Sequence, residues 1–577
     1  MSALTPAASR ISETIENANL APRLVDGFRP IHDCLEARVS SHYWKRNGVR
    51  PFIADGVPYL VNNDGVLSTA TARFLLDALP VPQGEIRWFE VGAGSALFAR
   101  YLLDAFRDLC AVQGRDDYDR LRFIVTDASP ATVDFWREHG IFDAHADRVE
   151  LRVFDAASPT SPIPHNLDAV FCNYVLDSLP ASILRFRDGQ IEELNSRVHL
   201  IKEESHFRGA VPDLQHLRQL AASPDCLCQL DDFMHLLDFE TAYLPASVPP
   251  PFSDEALGFA SALKLESTVL NWGALSCLDR IAAALRPSGF ILVNDYGICG
   301  RENSGHVWGM QRFGRSVAMP VNFPLLEDHM RAAGFTPIAP AGDDQASIYT
   351  RLFAHYAASP ALQTSLNAHF GAETARCRDE LVTQAQRERE SRRFDAALNH
   401  YRTALELVPS DWRLLGETAE FLVSQTGDPQ TATELARLAI ELNPWYSPWL
   451  WNVFGDGLFE QGRFLEAHEA YLKAERILPS DPHTMLNLSF TFAELGNFVK
   501  AIEAISRGLS NDTLGVYTER LLARQRFVLD LLRQTWQVDR EWIARRNAAQ
   551  CAPEARSSNP LLDQGSSATA SGLGAEP

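Results

Sequence analysis

The chain has 577 residues, 46% of them apolar and 22% charged, and its formal net charge at pH 7 is −21. One hydrophobic core does not support this length, so we expect roughly two to four soluble domains. The acidic balance repels phosphate backbones and argues against a general nucleic-acid binder.

Cysteine spacing and the N-terminal residues indicate a reducing compartment. The nine cysteines include one close pair, Cys226 and Cys228, without a second pair at zinc-site spacing, and the histidines show no metal spacing. We therefore expect no disulfide framework and no metal site. No stretch reaches the roughly 18 uncharged apolar residues of a membrane-spanning helix. Residues 1–25 lack the apolar core of a signal peptide, so we expect a cytoplasmic protein with no membrane contact.

Residues 1–80 are expected to form a helical leader region, and short β-type runs alternate with helical patterns over residues 81–355. Residues 190–275 exceed an ordinary crossover and are predicted to form a helical insertion over the carboxyl edge of the sheet. Such alternation predicts a doubly wound α/β domain with a mostly parallel, seven-stranded sheet. The β-type runs cover 86–91, 122–127, 149–155, 167–173, 289–295 and 346–353.

A glycine-rich phrase, FEVGAGSA, ends the first strand and opens a helix. Its Gly92 and Gly94 allow a tight turn and let a ligand approach the backbone. Glu90 stands two positions before the first glycine, where it would repel a pyrophosphate and attract a cationic ligand. The next two strands end in Asp127 and Asp155, positioned to meet ribose hydroxyls and an adenine amino group. These features favour S-adenosylmethionine over a dinucleotide.

The glycine turn and the three acids together resemble the Rossmann-like class I S-adenosylmethionine-dependent methyltransferases. The resemblance implies that Glu90, Gly92, Gly94, Asp127 and Asp155 bind the cofactor. One departure is Ala96, which stands where the family has its third glycine. We expect this small residue to be tolerated, with the cofactor slightly displaced. The competing interpretation is that the acids are ordinary polar residues at strand ends.

Three later phrases narrow the resemblance. The fourth strand ends in NYVLDSLP (173–180), the fifth in VNDYG (293–297), and VNFPLL (321–326) follows. In this order they resemble the MidA-like family, which includes the mitochondrial complex I assembly factor that methylates a protein arginine. The resemblance covers about 85–340 and implies that Asn173 joins the cofactor site.

Two positions depart from the MidA-like pattern: Tyr174 stands where the family has an acid, and Asn322 where it usually has Asp. The loss of one acid weakens the case for an arginine acceptor, because paired carboxylate oxygens match a guanidinium. We predict that Asp177 orients the nucleophile and receives its proton, with Asp295 and Tyr296 as further catalytic candidates. The competing interpretations are a helix cap at Asp177 and a plain turn at Asp295 and Tyr296.

A fixed period marks the C-terminal part of the chain, in steps of 35, 35 and 34 residues. It resembles the tetratricopeptide repeat, which implies four helical hairpins with a protein-binding surface over residues 380–512. A helical linker (356–379) is expected before the repeats, and a capping helix (513–548) and a disordered tail (549–577) after them. The recurring positions are Ala397, Tyr401 and Ala404, then Ala432, Ala436 and Ala439, then Ala467, Tyr471 and Ala474, then Ala501, Ile505 and Gly508, with Pro409, Pro444 and Pro479 closing the first three units.

The leading hypothesis is a methyltransferase that acts on a protein side chain, such as an arginine, presented by the repeats. One alternative is a non-catalytic adaptor with a degenerate methyltransferase fold. Another is a small-molecule methyltransferase, and a nicotinamide dehydrogenase is the most remote. The sequence leaves open the acceptor, the number of methyl groups added and the oligomeric state.

Overall fold

The computed structural model describes residues 23–54, 64–78, 84–187, 189–201, 213–306, 309–313, 315–343 and 348–550. The strands are β1 (Leu24–Pro30), β2 (Ile86–Val91), β3 (Leu121–Asp127), β4 (Val149–Val153), β5 (Leu167–Asn173), β6 (Ser182–Arg187), β7 (Gln190–Leu200), β8 (Leu237–Pro245), β9 (Ser267–Leu270), β10 (Leu285–Asp295), β11 (Gly297–Ile298), β12 (Gln311–Phe313), β13 (Ser316–Ala318), β14 (Val321–Asn322), β15 (Thr336–Ile338) and β16 (Tyr349–Ala354).

The α-helices divide into those of the N-terminal domain and those of the helical hairpins. They are α1 (Leu35–Asn47), α2 (Arg50–Ala54), α3 (Val66–Ala78), α4 (Leu97–Gln113), α5 (Pro130–Glu138), α6 (Leu214–Ala222), α7 (Leu227–Leu230), α8 (Ser253–Leu263), α9 (Trp272–Ala282), α10 (Phe323–Ala332), α11 (Pro360–Phe370), α12 (Ala372–Glu390), α13 (Phe394–Leu407), α14 (Trp412–Phe421), α15 (Pro429–Leu442), α16 (Pro448–Glu460), α17 (Phe464–Ile477), α18 (Pro482–Glu494), α19 (Phe498–Asn511) and α20 (Thr518–Gln550). The chain forms two compact units, which meet in sequence between Pro479 and Ser480.

The main sheet has seven strands in the order β15-β16-β10-β5-β2-β3-β4. Neighbouring strands from β10 to β4 are parallel, and β16 is antiparallel to both β10 and β15. Every residue of the central strand β5 is buried, as expected for a strand covered on both faces. The predicted α/β fold with a mostly parallel seven-stranded sheet is confirmed. The carboxyl ends of β2, β3, β5 and β10 therefore meet at one edge.

The predicted helical insertion is wrong in its secondary structure. Residues 190–275 do contain α6, α7 and α8, but β7, β8 and β9 form a second, antiparallel sheet with β6. The fifth strand is β1, so the leader region is not entirely helical either. Long cross-strand pairs hold this sheet together: the Arg197 guanidinium donates to both carboxylate oxygens of Glu240 at 2.7 Å. Such a cross-strand pair stabilises the two neighbouring strands. It does not produce the sequence periodicity that is typical of a helix.

The first unit continues from the α/β domain through three helical hairpins, α12–α13, α14–α15 and α16–α17. Their recurring small and aromatic residues are buried, as the period predicts; Ala397, Ala432 and Ala467 are all 0% exposed. A Cβ added at Gly455 would lie 2.4 Å from the Tyr471 ring, so this helix pair approaches as closely as glycine allows. The predicted helical linker (356–379) is not a single element. It contains α11, which lies outside the hairpins, and the start of α12, which begins at residue 372 and belongs to the first hairpin.

The second unit comprises α18, α19 and α20. Its small core includes Leu486 and Ile505 from the hairpin together with Leu521 and Val528 from α20. The start of α20 therefore packs on the fourth hairpin, whereas its later side chains are exposed, including Trp536. The predicted disordered tail (549–577) lies outside the described residues, except for its first two residues, which end α20.

Candidate functional site at the carboxyl edge of the sheet

The glycine turn between β2 and α4 has a left-handed backbone at three positions: Gly92 (φ 64°), Gly94 (φ 56°) and Ala96 (φ 62°). A Cβ at Gly92 would lie 2.7 Å from Val175, and one at Gly94 would lie 2.6 Å from the Phe52 ring. Ala96 thus adopts the backbone that a third glycine would supply. Its methyl group costs roughly 1–2 kcal/mol in this conformation. The turn keeps its shape despite that departure.

The neighbouring strand and helix hold the backbone of the turn. The Ala93 amide donates to the Thr126 carbonyl at 2.7 Å, and the Gly94 amide donates to Asp127 Oδ2 at 3.1 Å. The Trp136 ring nitrogen donates to the Gly94 carbonyl at 3.1 Å. Burial raises the pKa of Asp127 to about 6. Asp127 thus both supports the turn and lines the cavity beside it.

Glu90 and Asn173 lie side by side at the ends of β2 and β5, and each is 2% exposed. Glu90 Oε2 and Asn173 Nδ2 are buried, and neither makes a well-formed hydrogen bond within the described part of the chain, although the two side chains are close enough to interact. Burial, together with the nearby Asp127 carboxylate, raises the pKa of Glu90 to about 8, and the Asn173 amide opposes this rise. Buried polar atoms without partners are rare because each loses its hydration without compensation. Of the two, Asn173 lines the cavity.

Asp155, after β4, also lines the cavity, but a cation already contacts it. Lys45 Nζ of α1 lies 3.1 Å from Asp155 Oδ2, and the Ala157 amide donates to Oδ1 at 3.0 Å. Both side chains keep substantial exposure, 54% for Lys45 and 30% for Asp155. Sequence reasoning missed Lys45, because nothing in the leader region signals that α1 lies against the end of β4.

Asp177 belongs to a 3-10 turn, Leu176–Ser178, that follows β5 and lines the cavity. Asp177 is the middle residue of this turn, whose N-cap position is Val175. Asp177 is 8% exposed, and burial raises the pKa of its carboxyl to about 7. Asp177 is therefore not the N-cap of this turn, although its carboxylate interacts with the backbone amide of Ser178.

Asp295 supports the turn instead. Its Oδ2 accepts hydrogen bonds from the backbone amides of Leu176 (2.9 Å) and Asp177 (3.3 Å), and its Oδ1 accepts one from Tyr296 (2.9 Å). The side chain is 0% exposed. Burial and the neighbouring Asp177 raise the pKa of Asp295 well above its usual range. Of the three residues predicted to be catalytic, the structure gives Asp295 a positioning role.

Two tyrosines extend the polar wall around Asp177. Tyr296 lines the cavity, and its hydroxyl is buried without a hydrogen-bond partner in the described residues. Tyr174, also in the wall, has a left-handed backbone with φ of 49°. Such a backbone is strained for an aromatic residue and is typical of functional sites. Burial and the charge of Asp295 raise the pKa of Tyr174.

Asn322, the second departure from the MidA-like pattern, is 1% exposed and lies in the core of the domain. Its side-chain amide donates to Thr268 Oγ1 and to the Val269 carbonyl, both at 3.0 Å, and its Oδ1 accepts from the Leu325 amide at 3.4 Å. An ionised aspartate could not donate the first two bonds. The amide at this position thus serves the packing between β9, β14 and α10.

The cavity beside these residues has a volume of about 1670 Å³. Its wall combines the sheet edge with Trp44 and Phe52 of the leader region and with Arg378 and Arg387 of α12. Residues of the first helical hairpin are therefore part of the site, which the separate domains expected from the sequence did not predict.

An ion-pair cluster joins the leader region to the hairpins at this wall. Arg378 Nη1 lies 3.0 Å from Asp64 Oδ2 and 3.8 Å from Asp411 Oδ2. Burial and the neighbouring Asp411 raise the pKa of Asp64 to about 7, and Arg378 opposes this rise. Asp64 and Arg378 are more than 300 residues apart in sequence, so no local signal could have predicted their pairing.

Two kinds of feature are absent from the described residues. No group of three or more His, Cys, Asp or Glu side chains in this part of the chain is arranged to hold a metal ion. Within the same residues, no helix combines the length and the apolar character needed to cross a membrane.

Comparisons with known proteins match each part of the chain separately. The tetratricopeptide repeat family model matches residues 382–444. None of the curated proteins matches the chain. The chain is also similar to two Burkholderia thailandensis structures. One is a COG1565 superfamily member bound to S-adenosyl-homocysteine, with 16% identity and a TM-score of 0.39. The other is an uncharacterized ACR protein of the same superfamily, with 15% identity and a TM-score of 0.37. Each match covers 63% of this chain and 97% of the other.

The helical part is similar to the Sgt2 tetratricopeptide repeat domain from Aspergillus fumigatus, with 23% identity and a TM-score of 0.20. That match covers 21% of this chain and 79% of the other. At these identities and scores the likenesses do not define an activity for this chain, so its function has to be argued from the site's own residues.

Proposed function

We propose that this chain is an S-adenosylmethionine-dependent methyltransferase whose acceptor is a polypeptide side chain. The single observation that carries the proposal is the pair of buried side chains Glu90 and Asn173 beside a left-handed glycine turn, whose Oε2 and Nδ2 atoms make no well-formed hydrogen bond in the described residues. A buried polar atom that finds no partner costs roughly 1–3 kcal/mol. A ligand that offers both a donor and an acceptor would recover that loss.

The residues at the sheet edge fit this cofactor. Its amino group and sulfonium are cationic, which suits the acidic Glu90 and Asp127, and its carboxylate can accept from Asn173 Nδ2. Gly92 and Gly94 leave the backbone of the turn open to a ligand. Asp127 lines the cavity at the end of β3 and would accept the ribose hydroxyls beside the amides it already binds. Asp155 would have to exchange its Lys45 contact, or share it, to meet an adenine amino group.

When bound, S-adenosylmethionine supplies a methyl group that its sulfonium has already activated. The protein then has to orient the acceptor, exclude water and take up one proton. Asp177 suits the last task, because a carboxyl with a pKa of about 7 is partly ionised at neutral pH and can receive the proton. Asp295 fixes the backbone that carries Asp177, and the Tyr296 hydroxyl is free to donate to the acceptor.

The volume and charge of the cavity favour a polypeptide acceptor over a metabolite. Small-molecule sites usually occupy about 300–1,000 Å³, whereas this cavity measures about 1670 Å³. Asp64 and Asp177 are two carboxyls with raised pKa values in one wall. A cationic acceptor such as an arginine would stabilise their ionised forms. Asp64 is already paired with Arg378 at 3.0 Å, so an arginine acceptor would have to share this acid.

A non-catalytic adaptor is the weaker alternative. An adaptor has no use for a strained glycine turn, two unpaired polar atoms and a carboxyl with a pKa near neutrality in one cavity. Each of these features lowers stability, so its presence without a ligand would have no compensation.

The test is calorimetric titration of the protein with S-adenosylmethionine and, separately, with NADH. We expect micromolar binding of S-adenosylmethionine only, and at least tenfold weaker binding by a Glu90→Gln variant. Glu85→Gln serves as the matched control, because Glu85 precedes the same strand but its side chain is 48% exposed. Equal binding by both variants would remove Glu90 from the cofactor site. Absence of binding by the unaltered protein would overturn the proposal.

A further inference from the structure

The junction between the second and third helical hairpins contacts the glycine turn directly. This junction is the loop Asn443–Ser447, between α15 and α16. The Tyr446 hydroxyl donates a hydrogen bond to the Ser95 carbonyl at 2.6 Å. Tyr446 is 1% exposed and Ser95 is 3% exposed, so the bond is shielded from water. A residue of the repeat module is thus bound to the backbone of the proposed cofactor site.

Flanking contacts keep the junction in place on the α/β domain. The Tyr101 hydroxyl of α4 donates to the Leu442 carbonyl at 2.9 Å. The Trp445 ring nitrogen donates to the His139 carbonyl, just after α5, at 3.2 Å. Tyr446 also lies against Phe135 of α5, with ring centroids 5.5 Å apart. The junction therefore contacts both helices that follow the strands of the proposed cofactor site.

The other backbone bonds of the turn come from inside the α/β domain. Thr126, Asp127 and Trp136 bind the groups of Ala93 and Gly94, as described above. The Ser95 carbonyl, which precedes the strained Ala96, takes its bond from Tyr446 instead. The amide of the same peptide, Ala96 N–H, donates to the Ala93 carbonyl within the turn at 2.8 Å. Strained conformations persist only where the surroundings fix them, and Tyr446 fixes the carbonyl side of this peptide.

From these contacts we infer that Tyr446 is a positioning residue of the cofactor site. Its hydroxyl holds the Ser95–Ala96 peptide in the orientation that keeps the glycine turn open to a ligand. The repeat module is therefore a structural part of that site as well as a surface for partners. The identity of the ligand rests on the proposed function, whereas the effect on the turn does not.

The test compares Tyr446→Phe with Tyr101→Phe. Both variants remove one hydroxyl that bridges the α/β domain and the same junction, but the Tyr446 hydroxyl bonds to the Ser95 carbonyl of the turn, whereas the Tyr101 hydroxyl bonds to the Leu442 carbonyl of the hairpin. Hydrogen–deuterium exchange of the ligand-free full chain is measured at residues 93–97, and S-adenosylmethionine binding is measured by calorimetry. We expect Tyr446→Phe to accelerate exchange and to weaken binding, each by roughly three- to tenfold, the worth of one buried hydrogen bond. Tyr101→Phe should change both by less than about twofold, on the same scale.

The exchange measurement keeps the inference separate from the proposed function. Accelerated exchange in Tyr446→Phe alone supports the positioning role even if no S-adenosylmethionine binds. Equal exchange in the two variants, or no change in Tyr446→Phe, would overturn it. Thermal unfolding of both variants identifies a general loss of stability. Such a loss would lower both melting temperatures and accelerate exchange throughout the first unit. That result would also count against the inference.

Discussion

Asp295 accepts a hydrogen bond from the backbone amide of Asp177, at 3.3 Å, across the adjacent ends of β10 and β5. One of these carboxylates faces the cavity, and the other is fully buried and bound to three backbone amides. Two acids from separate strands therefore share one turn but differ in task. The buried acid fixes the backbone of the turn, and the acid in the wall is the one we propose as the proton acceptor.

Because the two acids differ in burial and hydrogen bonding, we expect two conservative substitutions to differ in their effect on stability. Asp295→Asn loses acceptor capacity for buried amides and should lower the free energy of unfolding by about 1–3 kcal/mol. Asp177→Asn removes a carboxyl that is costly to ionise and should leave stability unchanged or slightly raised. Chemical denaturation of both variants checks this. Equal losses would show that Asp177 is structural as well.

The proposed catalytic role of Asp177 can be tested in a methyl-transfer assay with labelled S-adenosylmethionine and arginine-containing peptides. Without a proton acceptor, Asp177→Asn should lower kcat by about 10²- to 10⁴-fold and leave cofactor affinity unchanged. Tyr296→Phe removes only a donor and should have a smaller effect. An unaltered kcat in the Asp177→Asn variant would show that another group accepts the proton.

The parts of this site that the sequence predicted are those with a local signature. The turn at Gly92 and Gly94, the acids at the strand ends and the helical period each depend on residues close together in the chain. The second sheet has no such signature, since Leu24 pairs with His199. Its longest strand, β7, also lacks a regular alternation of buried and exposed residues. Contacts such as Tyr446 with Ser95 depend on tertiary packing alone.

The raised pKa of Glu90 makes both stability and affinity depend on pH. The native carboxyl holds its proton up to about pH 8, against an ordinary value of 4.5. The native state therefore binds more protons than the unfolded state between these values. The stability that Glu90 contributes is fully present below about pH 4.5 and is lost as the pH rises through about 8. Its slope reaches at most about 1.4 kcal/mol per pH unit.

Cofactor affinity should follow the opposite trend, because an ionised Glu90 attracts a cationic ligand. We expect S-adenosylmethionine to bind more tightly at pH 8 than at pH 6. Glu90→Gln should remove this rise and also flatten the decline in stability. Calorimetry measures the affinity and thermal unfolding measures the stability, at the same series of pH values. An unchanged pH profile in the variant would assign the titration to another group.

Gly92 and Gly114 allow backbone strain to be separated from steric conflict in the turn. Both have a φ of 64°, but a Cβ at Gly114 would meet nothing within 4 Å, whereas one at Gly92 would lie 2.7 Å from Val175. Gly114→Ala should therefore cost about 1–2 kcal/mol of stability. Gly92→Ala should cost about 1–3 kcal/mol more and should abolish cofactor binding. Adding Val175→Ala to Gly92→Ala should recover part of the stability; no recovery would contradict the steric explanation.

Lys45 and Asp155 form a pair that competes with the proposed cofactor. Their separation is 3.1 Å and both side chains are partly exposed, so the pair is worth at most about 1 kcal/mol. Lys45→Met should free Asp155 and tighten S-adenosylmethionine binding by up to roughly fivefold on that scale. Asp155→Asn should weaken binding. Calorimetry of the two variants tests whether Lys45 competes with the cofactor for Asp155. Weaker binding by Lys45→Met would mean that Lys45 itself contacts the ligand.

Asp64 and Arg378 connect the leader region to the first helical hairpin in the cavity wall, 3.0 Å apart. The Asp64 side chain is 11% exposed and that of Arg378 is 19% exposed. Removing one partner of a buried pair leaves an uncompensated charge and costs about 3–5 kcal/mol, whereas replacing both can be nearly neutral. We therefore expect Arg378→Met to destabilise the protein strongly, and the double variant with Asp64→Asn to recover most of the loss. Because Asp411 lies 3.8 Å from the same guanidinium, part of the cost should remain. Additive effects in this double-mutant cycle would mean that the two side chains do not interact in solution.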